Sequence, residues 1–97
     1  MAQVIYSGEA LADFESIIEF LLETSPQSAM QTLVNIRSAV GLLEVHPLIG
    51  RRIDGHIREL VISLQATGYL ALYRFDAAFD VVRVLRIRHQ REAGYTT

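Results

Sequence analysis

The sequence predicts an α+β fold of order βααβββ, in which a helical hairpin packs on one face of a small, mostly antiparallel curved sheet. Three observations carry this expectation. Two stretches in the first half repeat apolar residues every three to four positions, the period of an amphipathic helix. The second half alternates apolar with polar residues, the period of a strand. The joints between neighbouring segments are too short for anything but hairpins.

From the N-terminus, Gln3 to Tyr6 is a short β-favouring segment closed by Ser7 and Gly8. Ser7 is placed to cap the helix that follows, and Glu9 falls in its first turn, where the helix dipole favours an acid. Leu11, Phe14, Ile18 and Leu21 form the apolar stripe of that helix, broadened by Ile17 and Leu22, with Asp13, Glu15, Glu19 and Glu23 on its wetter sides. Thr24, Ser25 and Pro26 break it and start another, because proline suits a first helical turn and the serine before it can cap. Ala29, Leu33, Ile36, Val40 and Leu43 mark a narrow seam on the second helix, which His46 and Pro47 end. Pro47 to His56 then reads as a turn-rich connection with Gly50 and Gly55 as its flexible points.

Three strands follow: Ile57 to Leu64, Tyr69 to Phe75 and Val81 to Ile87. Short links make them an antiparallel meander. Leu60, Ile62 and Leu64 share one face of the first, opposite Glu59, Val61 and Ser63; Tyr69, Ala71, Tyr73 and Phe75 share one face of the second, opposite Leu70, Leu72 and Arg74. Both faces carry apolar residues, and a helical hairpin covers one. The other, with Val61, Leu70 and Leu72, is expected to meet the C-terminal tail or a partner, since exposed apolar patches mark interaction surfaces.

Composition bounds the function. Residues 1–97 are expected to form one domain. No run approaches the roughly 18 apolar residues of a membrane span, and the start does not resemble a secretory signal, so a cytoplasmic protein without membrane attachment is expected. There is no cysteine, and His46, His56 and His89 are spaced too irregularly for a standard zinc motif, so neither metal nor cofactor is expected. The net charge of −2 hides an asymmetry: residues 1–50 hold six acids and only Arg37, whereas residues 51–97 hold eight arginines and five acids. All nine basic residues are arginine. Its planar fork grips phosphate or carboxylate with two bonds but does not give up a proton, so arginine stabilises charge and does not serve as a base.

These cations gather at the end of the chain. Arg74, Arg83, Arg86, Arg88 and Arg91 are the candidates for contact with an anionic partner, more than edge protection of a strand requires. His89 is the tail residue whose proton is labile near neutral pH, and Tyr95 adds a phenol. Tyr69 and Tyr73 belong to the core, and Arg58 and Glu59 point to opposite faces, so they do not satisfy one another.

With this order of elements, four strings carry a resemblance: HPLIGRRI (His46 to Ile53), RELVI (Arg58 to Ile62), GYLALYRFD (Gly68 to Asp76) and VLRIRHQREAGY (Val84 to Tyr95). Over nearly its whole length the chain resembles the RelE/ParE superfamily of toxins from type II toxin–antitoxin modules, which include plasmid stabilisation proteins. The resemblance implies a small toxin held inactive by an antitoxin that wraps its surface, here over Val61, Leu70 and Leu72, and that itself binds the operon's DNA. Two activities diverge within the superfamily. The RelE branch cuts mRNA on the ribosome with lysines on the first meander strand, an arginine after the GY of the second, and basic and tyrosine residues in the tail. Those cation positions fall on Val61, Ser63 and Leu70 here, while His89, Arg91 and Tyr95 match the tail. The ParE branch, which poisons DNA gyrase and catalyses nothing, is implied by the missing cations. A RelE-like endoribonuclease and a non-toxic module that only binds an antitoxin stand as alternatives.

Overall fold

The computed structural model describes residues 1–64 and 67–89. In chain order its elements are β1 (Gln3–Tyr6), α1 (Gly8–Thr24), α2 (Pro26–Gly41), a 3₁₀ turn (Leu42–Glu44), β2 (Arg51–Asp54), β3 (Ile57–Leu64), β4 (Thr67–Asp76) and β5 (Val81–His89). The strands form one mixed sheet in the order β1-β5-β4-β3-β2, with β1 parallel to β5 and every other pair antiparallel. Both helices pack on one face, α1 over β5 and α2 over β3. This is the α+β fold expected, with one strand more.

The added strand is β2. It occupies the connection read as turns and pairs with β3 at the sheet edge, turning at Gly55, whose φ of +52° suits glycine. All four of its residues are exposed, so no alternation marks it in the sequence. Gly50, just before it, has a different need. A Cβ there would lie 2.6 Å from the Tyr73 ring and 2.9 Å from the Glu59 carbonyl. The Gly50 N–H donates to the buried Tyr73 hydroxyl at 2.8 Å, so the absence of a side chain lets the loop seal that phenol.

Ser7 caps α1 as expected, accepting from Ala10 N–H at 3.0 Å. Ser25 does not cap α2 with its side chain. Instead Ser28 N–H and Ser28 Oγ both bond to the Ser25 carbonyl, each at 3.0 Å. The apolar stripe of α1 is rotated from the expected one: Ala10, Phe14 and Leu21 are buried, while Leu11 is 52% exposed. The small Ala10 lets the helix lie close to the sheet. α2 ends at Gly41, short of the expected boundary, and the 3₁₀ turn carries Leu43 into the core.

That core lies between helices and sheet. Ile36, Val40 and Leu43 meet Ile62, Tyr69, Ala71, Tyr73, Val82, Val84 and Ile87, with Tyr6 set edge-on to Phe14 at 5.4 Å. Each large apolar side chain so buried contributes about 1.5–3 kcal/mol. Tyr69, Ala71, Tyr73 and Phe75 face the helices, as the alternation predicts.

Candidate functional site

β5 carries most of the candidate cations, and its two halves hold them differently. The first half, Val81 to Val84, lies between β1 and β4. Val82 and Val84 are buried toward the helices, so Arg83 points to the far face and is exposed. Directly across from it on β4 stands Arg74, also exposed. Among the described residues neither guanidinium enters an ion pair. Like charges opposite one another cost stability, so an approaching anion relieves a repulsion already present.

The second half begins with a bulge. Tyr73 pairs with Val84 and Leu72 with Arg86, leaving Leu85 without a partner on β4. One extra residue shifts the alternation by one, so Ile87 turns into the core at 1% exposure while Arg86 and Arg88 turn away. β1 ends at Tyr6, and the start of α1 takes over as the neighbour of β5. Ser7 Oγ donates to the Leu85 carbonyl at 3.0 Å. Asp13 Oδ2 accepts from Ile87 N–H at 2.9 Å and from Arg86 Nε at 2.8 Å, and Asp13 Oδ1 accepts from Arg86 Nη2 at 3.0 Å. Burial pushes the Asp13 carboxyl up, but the hydrogen bonds from Arg86 and the Ile87 amide outweigh it and hold the group below the ordinary carboxylate range. Asp13 is therefore not the solvated acid its place in the sequence suggests, and the fork of Arg86 is held by α1 instead of presented to a partner.

A cavity of about 570 Å³ opens between α1 and this half of β5, lined by Asp13, Ser16, Ile17, Phe20, Tyr69, Arg86, Ile87, Arg88 and His89. His89 meets Tyr69 edge-on, ring centroids 5.4 Å apart. The cavity thus gathers one imidazole, one buried phenol, the Arg88 guanidinium and the mutually paired Arg86 and Asp13 on an apolar floor. Arg91 and Tyr95, which the sequence reading added to it, lie outside the described residues.

The far face differs from the expected open apolar surface. Val61, Leu70 and Arg88 form one row across β3, β4 and β5. Val61 is 51% exposed and Leu72 half-buried, but Leu70 is 2% exposed and closed to any partner. It sits on the central strand, between Val61 and Arg88. Beside this row Glu59 is buried, with Oε1 accepting from Arg51 Nη2 at 3.0 Å and Oε2 without a partner among the described residues. Arg58 donates to the Leu48 and Gly50 carbonyls, so it and Glu59 do go separate ways.

The reading of the sequence missed Asp13 as a clamp and Leu85 as a bulge. The signal for the bulge is in the string: Val84 and Leu85 are adjacent apolar residues that break the alternation of VRVLRIR. Nothing in the string singles out Asp13, because its partner lies 73 residues away. Among the described residues no cluster of His, Asp or Glu could hold a metal, and no helix is long and apolar enough to cross a membrane.

Comparison with known proteins sets this geometry in context. The family model described as ParE toxin of type II toxin–antitoxin system, parDE matches residues 4–94. The chain is 33% identical over 89 residues to Toxin RelE2 of Caulobacter vibrioides, covering 92% of this chain and 96% of that toxin. It is 34% identical over 92 residues to Toxin RelE3 of the same organism, covering 95% and 98%. Among solved structures, the chromosomal ParDE system of P. aeruginosa contains a chain with the same fold, at TM-score 0.76 and 22% identity over 92% of this chain and 96% of that one. The intact E. coli RelBE toxin–antitoxin complex also shares the fold, at TM-score 0.66 and 14% identity over 91% and 95%.

Proposed function

We propose that this chain, which belongs to the ParE family of toxins from type II toxin–antitoxin systems, arrests growth by binding DNA gyrase through guanidinium groups on its sheet. The observation that carries the choice of gyrase is the row on the far face. At the positions where the resemblance implies the catalytic cations of ribonuclease relatives, this chain has an exposed valine, Val61, and a buried leucine, Leu70. Neither can stabilise a phosphate in a transition state. Arg74 and Arg83 are exposed and, among the described residues, without ion pairs, and Arg88 follows on the same strand as Arg83, whereas Arg86 serves the fold; Arg91, outside the described residues, is a candidate from the sequence alone.

An antitoxin is the second partner, a reading supported by the ParDE and RelBE complexes that share this fold. It covers the exposed Val61 and the half-buried Leu72 beside it, and operator DNA meets the toxin only through it. The site of action is the cytoplasm.

A second reading is favoured by one feature: His89 beside Arg86 and Arg88 in the cavity, in a chain whose curated relatives are named RelE2 and RelE3. In that reading His89 is the acid or base of ribosome-dependent mRNA cleavage, with Arg91 and Tyr95. One experiment separates the two. Purified toxin is added to a gyrase supercoiling assay and to a reconstituted translation assay. Inhibited supercoiling with intact mRNA is expected. Cleaved mRNA that His89→Ala lowers by about 100-fold or more, the share of a general acid or base, would reverse the choice. A chain that neither inhibits, cleaves nor arrests growth is a binding module without toxicity.

A further inference from the structure

The hairpin between β4 and β5 holds a feature that the fold does not use. Phe79, in its turn, is 75% exposed, the most exposed aromatic side chain among the described residues. The turn around it is fixed. Asp76 Oδ1 accepts from Ala78 N–H at 3.1 Å and from Phe79 N–H at 3.4 Å. Asp80 takes a left-handed conformation, φ +54°, which aspartate tolerates better than most residues, and its carbonyl accepts from Gln3 N–H at 3.0 Å. The Asp80 carboxylate lies 4.0 Å from the Met1 amino group. Both acids of the turn are thus engaged locally, and neither forms an ion pair with the opposed guanidinium groups of Arg74 and Arg83 a few residues down the same hairpin.

From this juxtaposition we infer that the β4–β5 hairpin is the part of the toxin that grips its target: Phe79 enters an apolar socket on an acidic protein surface, and Arg74 and Arg83 together bind a carboxylate beside it. Four strand residues at about 3.3 Å each put the ring within about 13 Å of Arg83, well inside the roughly 800 Å² that each partner buries in a stable contact. An aromatic ring and arginines are the side chains that dominate binding at the centre of interfaces. Because the turn is held by its own hydrogen bonds, little ordering is lost when it binds. A protein fits better than a nucleic acid: the chain carries a net charge of −2 and no lysine, and duplex binding needs a track of cations, whereas the stretch of hairpin nearest the turn offers two, Arg74 and Arg83. The inference rests on the toxin reading and deepens it, since it names the anchor and the chemistry of the surface that receives it.

The test uses the full chain, binding to purified DNA gyrase, and growth arrest on expression. Phe79→Ala is expected to weaken gyrase binding by at least about 30-fold, the loss typical of a central aromatic anchor, and to abolish growth arrest. Phe79→Tyr restores both. Arg74→Ala with Arg83→Ala weakens binding and flattens its salt dependence. Met30→Ala, at a side chain 70% exposed on α2, changes neither. Circular dichroism melts unchanged from wild type confirm that the loss is at the surface. If wild type does not bind gyrase but Phe79→Ala still abolishes arrest, the gyrase reading fails and the anchor stands. If Phe79→Ala arrests growth like wild type, the anchor is overturned whatever the target. Binding of wild type to bare duplex DNA or ribosomal RNA that the arginine substitutions abolish would overturn the protein partner in favour of a nucleic acid.

Discussion

The two halves of β5 present arginines from one short alternating string, yet they put them to opposite uses. Arg83, before the bulge, lies in a strand flanked on both sides, so its backbone is satisfied and its side chain is left to the surface. Arg86, after the bulge, lies where β1 has ended, and the helix that replaces β1 brings a carboxylate with it. A side chain's availability is therefore decided by what neighbours its strand as much as by which face it occupies. Counting cations along a strand overstates the surface that they offer.

The comparison can be broken most severely just past the bulge. Ile87→Asp puts a carboxylate where the second half of β5 turns a side chain into the core, at 1% exposure, and should cost more than about 4 kcal/mol. Circular dichroism should then show no cooperative melt near the wild-type temperature; a normal melt would mean that position 87 does not face the core. Next in size, Asp13→Ala strands the Ile87 amide and Arg86 and should cost about 1–3 kcal/mol, against a change within about 0.5 kcal/mol for the exposed Arg83→Ala. Urea unfolding of both variants measures the difference, and equal losses would erase the distinction between the halves.

The same carboxylate sharpens the contrast through pH. The folded Asp13 carboxyl is held below its ordinary value, so it binds its proton less readily than in the unfolded chain, near pH 3.9. Its contribution to stability is full above that value and fades as the pH falls through the folded one. The stability gap between wild type and Asp13→Asn should therefore narrow below about pH 4, read from urea midpoints. Arg83→Ala should show no such narrowing. The smallest effect is expected at the opposed pair: Arg74→Glu replaces a repulsion with an attraction and should stabilise the fold by about 0.2–1 kcal/mol while weakening contact with the target. A more stable, less toxic variant would be the result in thermal melts and expression assays.

Much of the fold is legible in the string because it rests on periodicity. The helical hairpin, the meander and the inward face of Tyr69, Ala71 and Tyr73 all follow from spacings that burial imposes. β2 escaped for the reason that an exposed edge strand imposes none. The α1 stripe was misplaced because the short Ala10 is an innermost residue and carries little hydrophobic signal, while the longer Leu11 stays outside. Leu70 reads as an open position from its alternation, but its burial depends on neighbouring strands and not on its own period. The site was legible as a concentration of arginine and illegible as geometry. The Arg86–Asp13 clamp joins residues 73 apart, a separation at which no local pattern survives. Phe79 stood in a link read only for its length, where a lone aromatic has no period to betray it.

The parallel pairing of β1 with β5 has a bearing on how the chain is made. β1 leaves the ribosome before the other elements of the fold, yet among the described residues its sole neighbour in the sheet is β5, and the bond from Ser7 to Leu85 spans 78 residues. Such distant contacts form late and are costly to close. The opening strand must wait, unpaired, through synthesis of everything between, and a product that stops short of Val81 leaves it nothing to lie against. Completion of the sheet thus waits on translation through β5.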